Sequence, residues 1–341
     1  MAVIGRGEGE GGPTLPFGHY RARDGSASAP VEVDCARPHA ACVVGKRGSG
    51  KSNTLALLAE GLCSVDGTVP VVVDPMSAFG GLEAAGATVC EPRVRATAVP
   101  PAEWPALVGL DPTGSAGSLV WQVADAADTL AGMREALAES DATRGAVRTA
   151  GNHLARAAAW DVFDPDGLAA PVEPTVLDLT EPPERAANAV VRAVAAGLYE
   201  RRVAGDGPLP WLLVDEAHAF LDGVAAPALD RLLTRGRAPG VSVVLATQRP
   251  GALPDTAVSQ ADLLVTHRLT GRADVEAVAG ARGAYLDGDI RDRLPAGVGE
   301  ALVFDDATER AHAVRVAERA TRHGGTAPRL AADDGDRATR D

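Results

Sequence analysis

Lysine is almost absent from this chain. Of 33 basic residues in 341, only positions 46 and 51 are lysine, and every other is arginine. Aromatic residues are also scarce, at 4%, so any core must be built mostly from Val, Leu and Ala. The four cysteines, Cys35, Cys42, Cys63 and Cys90, show no CxxC spacing. That argues against a zinc site or a disulfide framework and for four reduced, mostly buried thiols. No apolar run reaches the roughly 18 residues a membrane helix needs. The first residues, MAVIGRGEGEGG, have no apolar signal core. The expected location is cytoplasmic, with no membrane partner.

Basic charge is outweighed overall. With 46 acidic residues the formal charge is −13. Two origins fit: a halophilic surface, kept soluble by charge that salt screens, or a GC-rich genome that replaces Lys with Arg. The halophilic reading is preferred. The acidity argues against a broad basic nucleic-acid surface and does not exclude a local channel lined with arginine. At 46% hydrophobic residues the chain is expected to pack as a globule rather than remain disordered.

Short β-branched runs alternate with Ala/Leu/Arg stretches. Strands are expected at 40–45, 69–74, 174–180, 210–216, 240–248, 262–269 and 300–305, and helices at 51–63, 184–202, 226–236 and 273–280. Continuous apolar runs suit strands covered on both faces of a parallel sheet. The fold class is therefore α/β, a mostly parallel sheet flanked by helices. Residues 1–30 read as a Gly/Pro-rich segment with room for a hairpin. One main domain is expected over 31–317, with a helical insertion at about 93–172 whose helices fall at 121–139 and 143–160. Residues 318–341 read as a disordered tail.

The two lysines lie in GKRGSGKS, which is G-x-x-x-x-G-K-S with an apolar strand before it and a helical pattern after it. That context defines a phosphate-binding loop. Gly45, Lys46, Arg47, Gly48, Ser49, Gly50, Lys51, Ser52 and Asn53 are the candidate nucleotide contacts. The glycines let the backbone N–H groups turn towards a β-phosphate, and the helix N-terminus adds its positive end. Lys51 would reach the β- and γ-phosphates, and Ser52 would hold Mg2+. A compact ammonium fits between two phosphates where a guanidinium does not, so Lys51 resists replacement. Lys46 is either a contact at the loop mouth or a chance survivor.

WLLVDEAHAF places Asp215 and Glu216 at a buried strand end. Asp215 would join the Mg2+ shell, and Glu216 would polarise the attacking water. His218 is given no chemistry. DEAH suggests a superfamily 2 helicase, but Lys51 and Asp215 are 164 residues apart, one nucleotide core fills the chain, and no QRxGR motif follows. No LSGGQ-like signature marks an ABC ATPase either.

GRAPGVSVVLATQRP at 236–250 resembles the matching stretch of the FtsK/HerA superfamily of ring translocases. RPHAACVVGKRGSGKS, VDEAHAF, DLLVTHRLTGRADVEAV and LPAGVGEALVFD resemble further parts of its HerA-like branch, over about 38–317. The resemblance implies a RecA-like P-loop NTPase, a hexameric ring and ATP-driven movement of double-stranded DNA. It makes Gln248 the polar sensor of the γ-phosphate and Arg237 a finger reaching the neighbouring subunit's ATP, with Arg231, Arg235 and Arg249 as competitors. Arg93, Arg95, Arg144, Arg148 and Arg156 are candidates for DNA contact.

Three departures matter. About 37 residues precede the core, too few for the family's N-terminal β-barrel, which leaves a nuclease partner and the hexamer open. VVVDPMSAFG keeps Asp74 but has Ala78 and Phe79 where the family has Glu and an aromatic. The family's C-terminal brace helix is not evident. A nucleotide-switched module gating a protein partner, in conjugation, defence or secretion, is therefore the rival to a DNA motor. A small-metabolite kinase would need only the P-loop and leaves the ATQRP stretch unexplained.

Overall fold

The structure, a computed structural model, describes residues 2–22, 26–282 and 289–324, without the side chains of 281 and 282. Seven parallel strands form the centre: β4 (Ala40–Val44), β5 (Thr68–Asp74), β6 (Thr88–Cys90), β7 (Thr175–Asp178), β8 (Leu209–Val214), β9 (Ser242–Thr247) and β10 (Leu263–Thr266), in the order β10-β4-β9-β8-β5-β7-β6. All seven strand expectations above correspond to observed strands. The apolar runs follow from burial on both faces: every residue of β4 and β9 is buried.

Five further strands extend the sheet beyond β10. They are β1 (Ala2–Ile4), β2 (Thr14–Arg21), β3 (Ala27–Asp34), β11 (Glu300–Asp305) and β12 (Arg310–Val316), in the order β1-β3-β2-β12-β11. All pairings here are antiparallel except β1 with β3. The N-terminal segment thus does more than hold a hairpin: it is built into the twelve-stranded sheet. Only β11 of this wing was legible. Pro16, Gly18 and Pro30 interrupt the strand signal of β2 and β3.

Alternate residues of each central strand face opposite layers. Ala41 and Val43 join α1 (Lys51–Cys63) through Leu55, Ala59 and Leu62, on the face that also holds Leu15 and Phe17 of β2. Cys42 and Val44 join the other layer, built from α6 (Glu184–Val203), α7 (Ala226–Arg235), α8 (Asp255–Gln260) and α9 (Arg272–Arg282).

A separate core, with Trp104, Leu107, Val120, Met133 and Leu154, unites α2 (Trp104–Val108), α3 (Ser115–Ala126), α4 (Leu130–Ala138) and α5 (Arg144–Ala158). The helix expected over 121–139 is two helices. Thr129 is extended and its side chain accepts from Gly132 N, starting α4 afresh. Ahead of the expected helices lies α2, whose Pro105 is tolerated in a first turn. None of the four cysteines is in a disulfide, and Cys35 and Cys42 are buried.

Candidate functional site

The loop 45–50 joins β4 to α1 at the C-terminal edge of the parallel strands, where ligands bind in open α/β sheets. Gly50 holds φ 124°, a region L side chains avoid, and a Cβ there would lie 3.2 Å from the His267 ring. At Gly45 a Cβ would meet Ser49 Oγ at 2.5 Å and His267 Cβ at 2.6 Å. The loop is therefore closed by contacts only glycine permits. Lys46 N donates to Arg268 O (2.9 Å), and Lys46 O accepts from Lys51 Nζ (3.3 Å). The first turn of α1 contains no acidic residue, so its positive end is uncompensated and suited to an anion.

Lys51 is buried, and burial lowers its pKa against the opposing pull of Glu216 and Asp215. Ser52 Oγ donates to Asp215 Oδ2 at 3.0 Å. Asp215 is buried; that burial raises its pKa, and the Glu216 amide (2.9 Å to Oδ1) and the Ser52 hydroxyl oppose the rise. Glu216 adopts φ 45°, a strained setting for a side chain with a Cβ. It turns the chain sharply off β8. His218 Nδ1 stands 3.4 Å from Glu216 Oε2 and 3.3 Å from Thr247 Oγ1.

The cleft these residues share has a volume of about 440 Å³; Arg47, Gly48, Lys51, Ser52, Asp215 and Glu216 are among its walls. Glu216 Oε2 is buried and makes no hydrogen bond, and His218 Nδ1 at 3.4 Å is a charge partner for it when protonated. Ser52 and Asp215 offer hard oxygen donors of the kind Mg2+ takes. No group of three His, Cys, Asp or Glu side chains placed to hold a metal occurs among the described residues.

Gln248 follows β9, which lies between the P-loop strand β4 and the acidic strand β8. Its position is thus between Lys51 and Glu216 along the same edge. Thr247 beside it is buried, and its Oγ1 accepts the Arg249 amide (3.0 Å).

Arg237 is elsewhere. Its Nη1 is 3.8 Å from Asp262 Oδ2, and Asp262 Oδ1 accepts the Ala40 amide at the start of β4. The P-loop begins at the other end of β4, roughly 17 Å away at about 3.3 Å per residue. Arg237 does not meet the nucleotide cleft of its own chain. Arg231 lies over the Tyr199 ring (4.0 Å to its centroid), while Arg235 and Arg249 are exposed.

Asn53 is not simply a cleft residue. Its Nδ2 donates to Ala317 O (2.8 Å) and its Oδ1 accepts from Arg319 N (3.0 Å). Asp74 is committed as a turn cap: it accepts from Met76, Ala78 and Phe79 amides, and burial raises its pKa.

Two features escaped sequence reasoning. His267, fully buried, donates from Nδ1 to Glu300 O (2.9 Å) and accepts from Thr54 Oγ1 at Nε2 (2.8 Å). Burial pushes its pKa down to about 4, so a neutral ring braces the P-loop. The second is the segment 317–324, which was read as tail from 318. Glu60 of α1 accepts the Ala320 and Thr321 amides (3.0 and 2.8 Å), and Arg319 Nη1 donates to Ala78 O (3.1 Å). The rest of the expected tail, 325–341, is outside the described residues.

The fold and the site together define a P-loop nucleotide-binding protein. No protein-family model matches the chain, and no curated protein matches its sequence. Solved structures do match in fold. VirB4 of Thermoanaerobacter pseudethanolicus aligns with a TM-score of 0.70 at 16% identity, over 90% of this chain and 97% of the other. The bacterial conjugative coupling protein TrwBdeltaN70 aligns at 0.55 and 16% identity, over 95% and 99%. The chain shares the α/β fold of these two structures, a mostly parallel sheet flanked by helices. Among the described residues no helix is long and apolar enough to cross a membrane.

Proposed function

We propose that the chain is a Mg2+-dependent ATP hydrolase that works as an oligomeric ring motor on double-stranded DNA. The observation that carries the chemistry is the Ser52 hydroxyl set against Asp215 at 3.0 Å, in one cleft with a buried Lys51 and with Glu216. Ser52 and Asp215 would hold Mg2+, which neutralises phosphate charge when bound. Lys51 and the loop amides bind and orient the phosphates. Glu216 orients a water and accepts its proton, and Gln248 contacts that water or the γ-phosphate. Arg237, remote from its own cleft, serves a neighbouring subunit's site, which requires an oligomer. The fold likeness to a conjugative coupling protein supports a motor handling DNA.

A second reading is a nucleotide switch that gates a protein partner. Two DNA-contact candidates favour it by being engaged internally: Arg93 pairs with Asp161 (2.5 Å), and Arg156 donates to Val108 O (2.8 Å). Arg95, Arg144 and Arg148 remain as exposed candidates. Light scattering with and without ATP and duplex DNA tests the proposal. A ring-sized mass with both ligands is expected; a protein that stays monomeric with both overturns the motor.

A further inference from the structure

The phosphate end of the cleft is polar, yet three side chains from separate loops give its rim a different character. Met76, Val298 and His323 all line the same cleft as Lys51 and Ser52. Met76 is 58% and Val298 66% exposed, and they are two of five large apolar side chains left exposed among the described residues. An exposed apolar pair facing one polar cleft is a binding feature more than a surface accident.

Each of the three is held by a specific local structure. The Met76 loop is fixed by Asp74, whose Oδ1 accepts the Met76 amide at 3.2 Å and whose Oδ2 accepts that of Phe79 at 2.8 Å. Val298 precedes Gly299, whose amide donates to Ser49 O of the P-loop at 3.1 Å, so its loop leans on the phosphate loop itself. His323 is carried by the strap 317–324. That strap is pinned to α1 through Asn53 and Glu60, and to the Met76 loop through Arg319 and Gly324, both of which donate to Ala78 O (3.1 and 3.3 Å). The close fit is visible at Gly81, where a Cβ would lie 2.3 Å from Arg322 O.

From this convergence we propose that Met76, Val298 and His323 form the nucleobase subsite, so that the C-terminal strap completes the nucleotide site. A thioether and an aliphatic side chain give a polarisable surface for a flat heterocycle, and the imidazole adds a stacking face. The phosphates would lie on the P-loop and the base against this rim. The inference rests on the proposed nucleotide-binding reading and deepens it.

Calorimetry of the full chain with Mg2+ and two probes, ATP and inorganic tripolyphosphate, separates the two. Wild type is expected to bind ATP about tenfold or more tighter than tripolyphosphate. Met76→Ser, Val298→Ser and His323→Ala should each shrink that gap and leave tripolyphosphate affinity unchanged. The substituted side chains at 76 and 298 are exposed, so folding is expected to survive, and unliganded thermal unfolding checks this. Equal affinities in wild type, variants that keep the full gap, or variants that lose both ligands alike overturn the base subsite. If wild type binds neither probe, the nucleotide reading falls too, and the inference falls with it.

Discussion

Ser52 Oγ lies 3.0 Å from Asp215 Oδ2, although 163 residues separate them. The sheet order brings this about. Strand β9 alone stands between the strand that ends in the P-loop and the strand that ends in Asp215, so both termini open on one cleft.

Lys51→Ala should abolish measurable nucleotide turnover and weaken ATP binding, because Lys51 lines the cleft and Lys46, the other lysine of the loop, does not. Glu216→Gln should keep ATP binding while turnover falls by about 10²–10⁴, the usual range for removing a general base. Paired binding and single-turnover measurements check both. A Glu216→Gln protein that hydrolyses ATP at the wild-type rate overturns the assignment of the base.

His267→Ala should cost about 2–3 kcal/mol, since it strands the Thr54 hydroxyl and the Glu300 carbonyl in a buried site. Denaturant unfolding measures it. The pKa of His267 is pushed down to about 4 from 6.5. The unfolded chain therefore binds the extra proton first, and the stability this ring supplies is lost as pH falls from about 6.5 towards 4. In His267→Gln that part of the acid loss should disappear.

His39 behaves in the opposite sense. Its burial lowers the pKa, but a hydrogen bond to Asp262 (2.8 Å to Nδ1) and the Asp34 carboxylate 3.6 Å from Nε2 outweigh it and hold the value at about 9. Arg6 and Arg37 also pair with Asp34, and Arg237 reaches Asp262. The folded state keeps the proton that the unfolded chain releases near 6.5. The stability from His39 is thus full below that pH and lost as pH rises through about 9. His39→Gln should lower stability at pH 6 and flatten the alkaline loss in a pH series of melting temperatures. An unchanged alkaline slope contradicts a charged His39.

The legible and illegible parts divide along physical lines. Six of the seven central strands could be read because double burial makes them continuous apolar runs, as in VVVD of β5 and WLLV of β8; β6, three residues with none fully buried, could not. Helix α1 could be read to the residue because Lys51 opens it at the phosphate loop. The wing could not: Pro16, Gly18 and Pro30 break its pattern, and its pairing depends on distant β12. Asn53 lines the cleft beside Ser52, and it has a second role that was not legible. The helix turns about 100° per residue, so Asn53 shares a face with Glu60, seven positions on, and both meet the strap. His267 carried no local signal; its role exists only once β10 lies beside β4.

Arg237→Ala should leave nucleotide binding intact and act on a neighbour's site. Doped into wild-type oligomers, it should depress turnover by more than its share of subunits. Strictly proportional loss would assign Arg237 only to its pairing with Asp262.

The central claim is tested most directly by ATP hydrolysis with and without linear duplex DNA, with Lys51→Ala as the blank. It should be run from low salt to molar KCl, because DNA binding weakens steeply with salt whereas a chain of charge −13 gains from screening. The account predicts Mg2+-dependent turnover, lost in Lys51→Ala and stimulated by DNA at the lower salt concentrations. Turnover indifferent to DNA at every salt concentration contradicts the motor, and turnover equal to that of the blank contradicts the hydrolase itself.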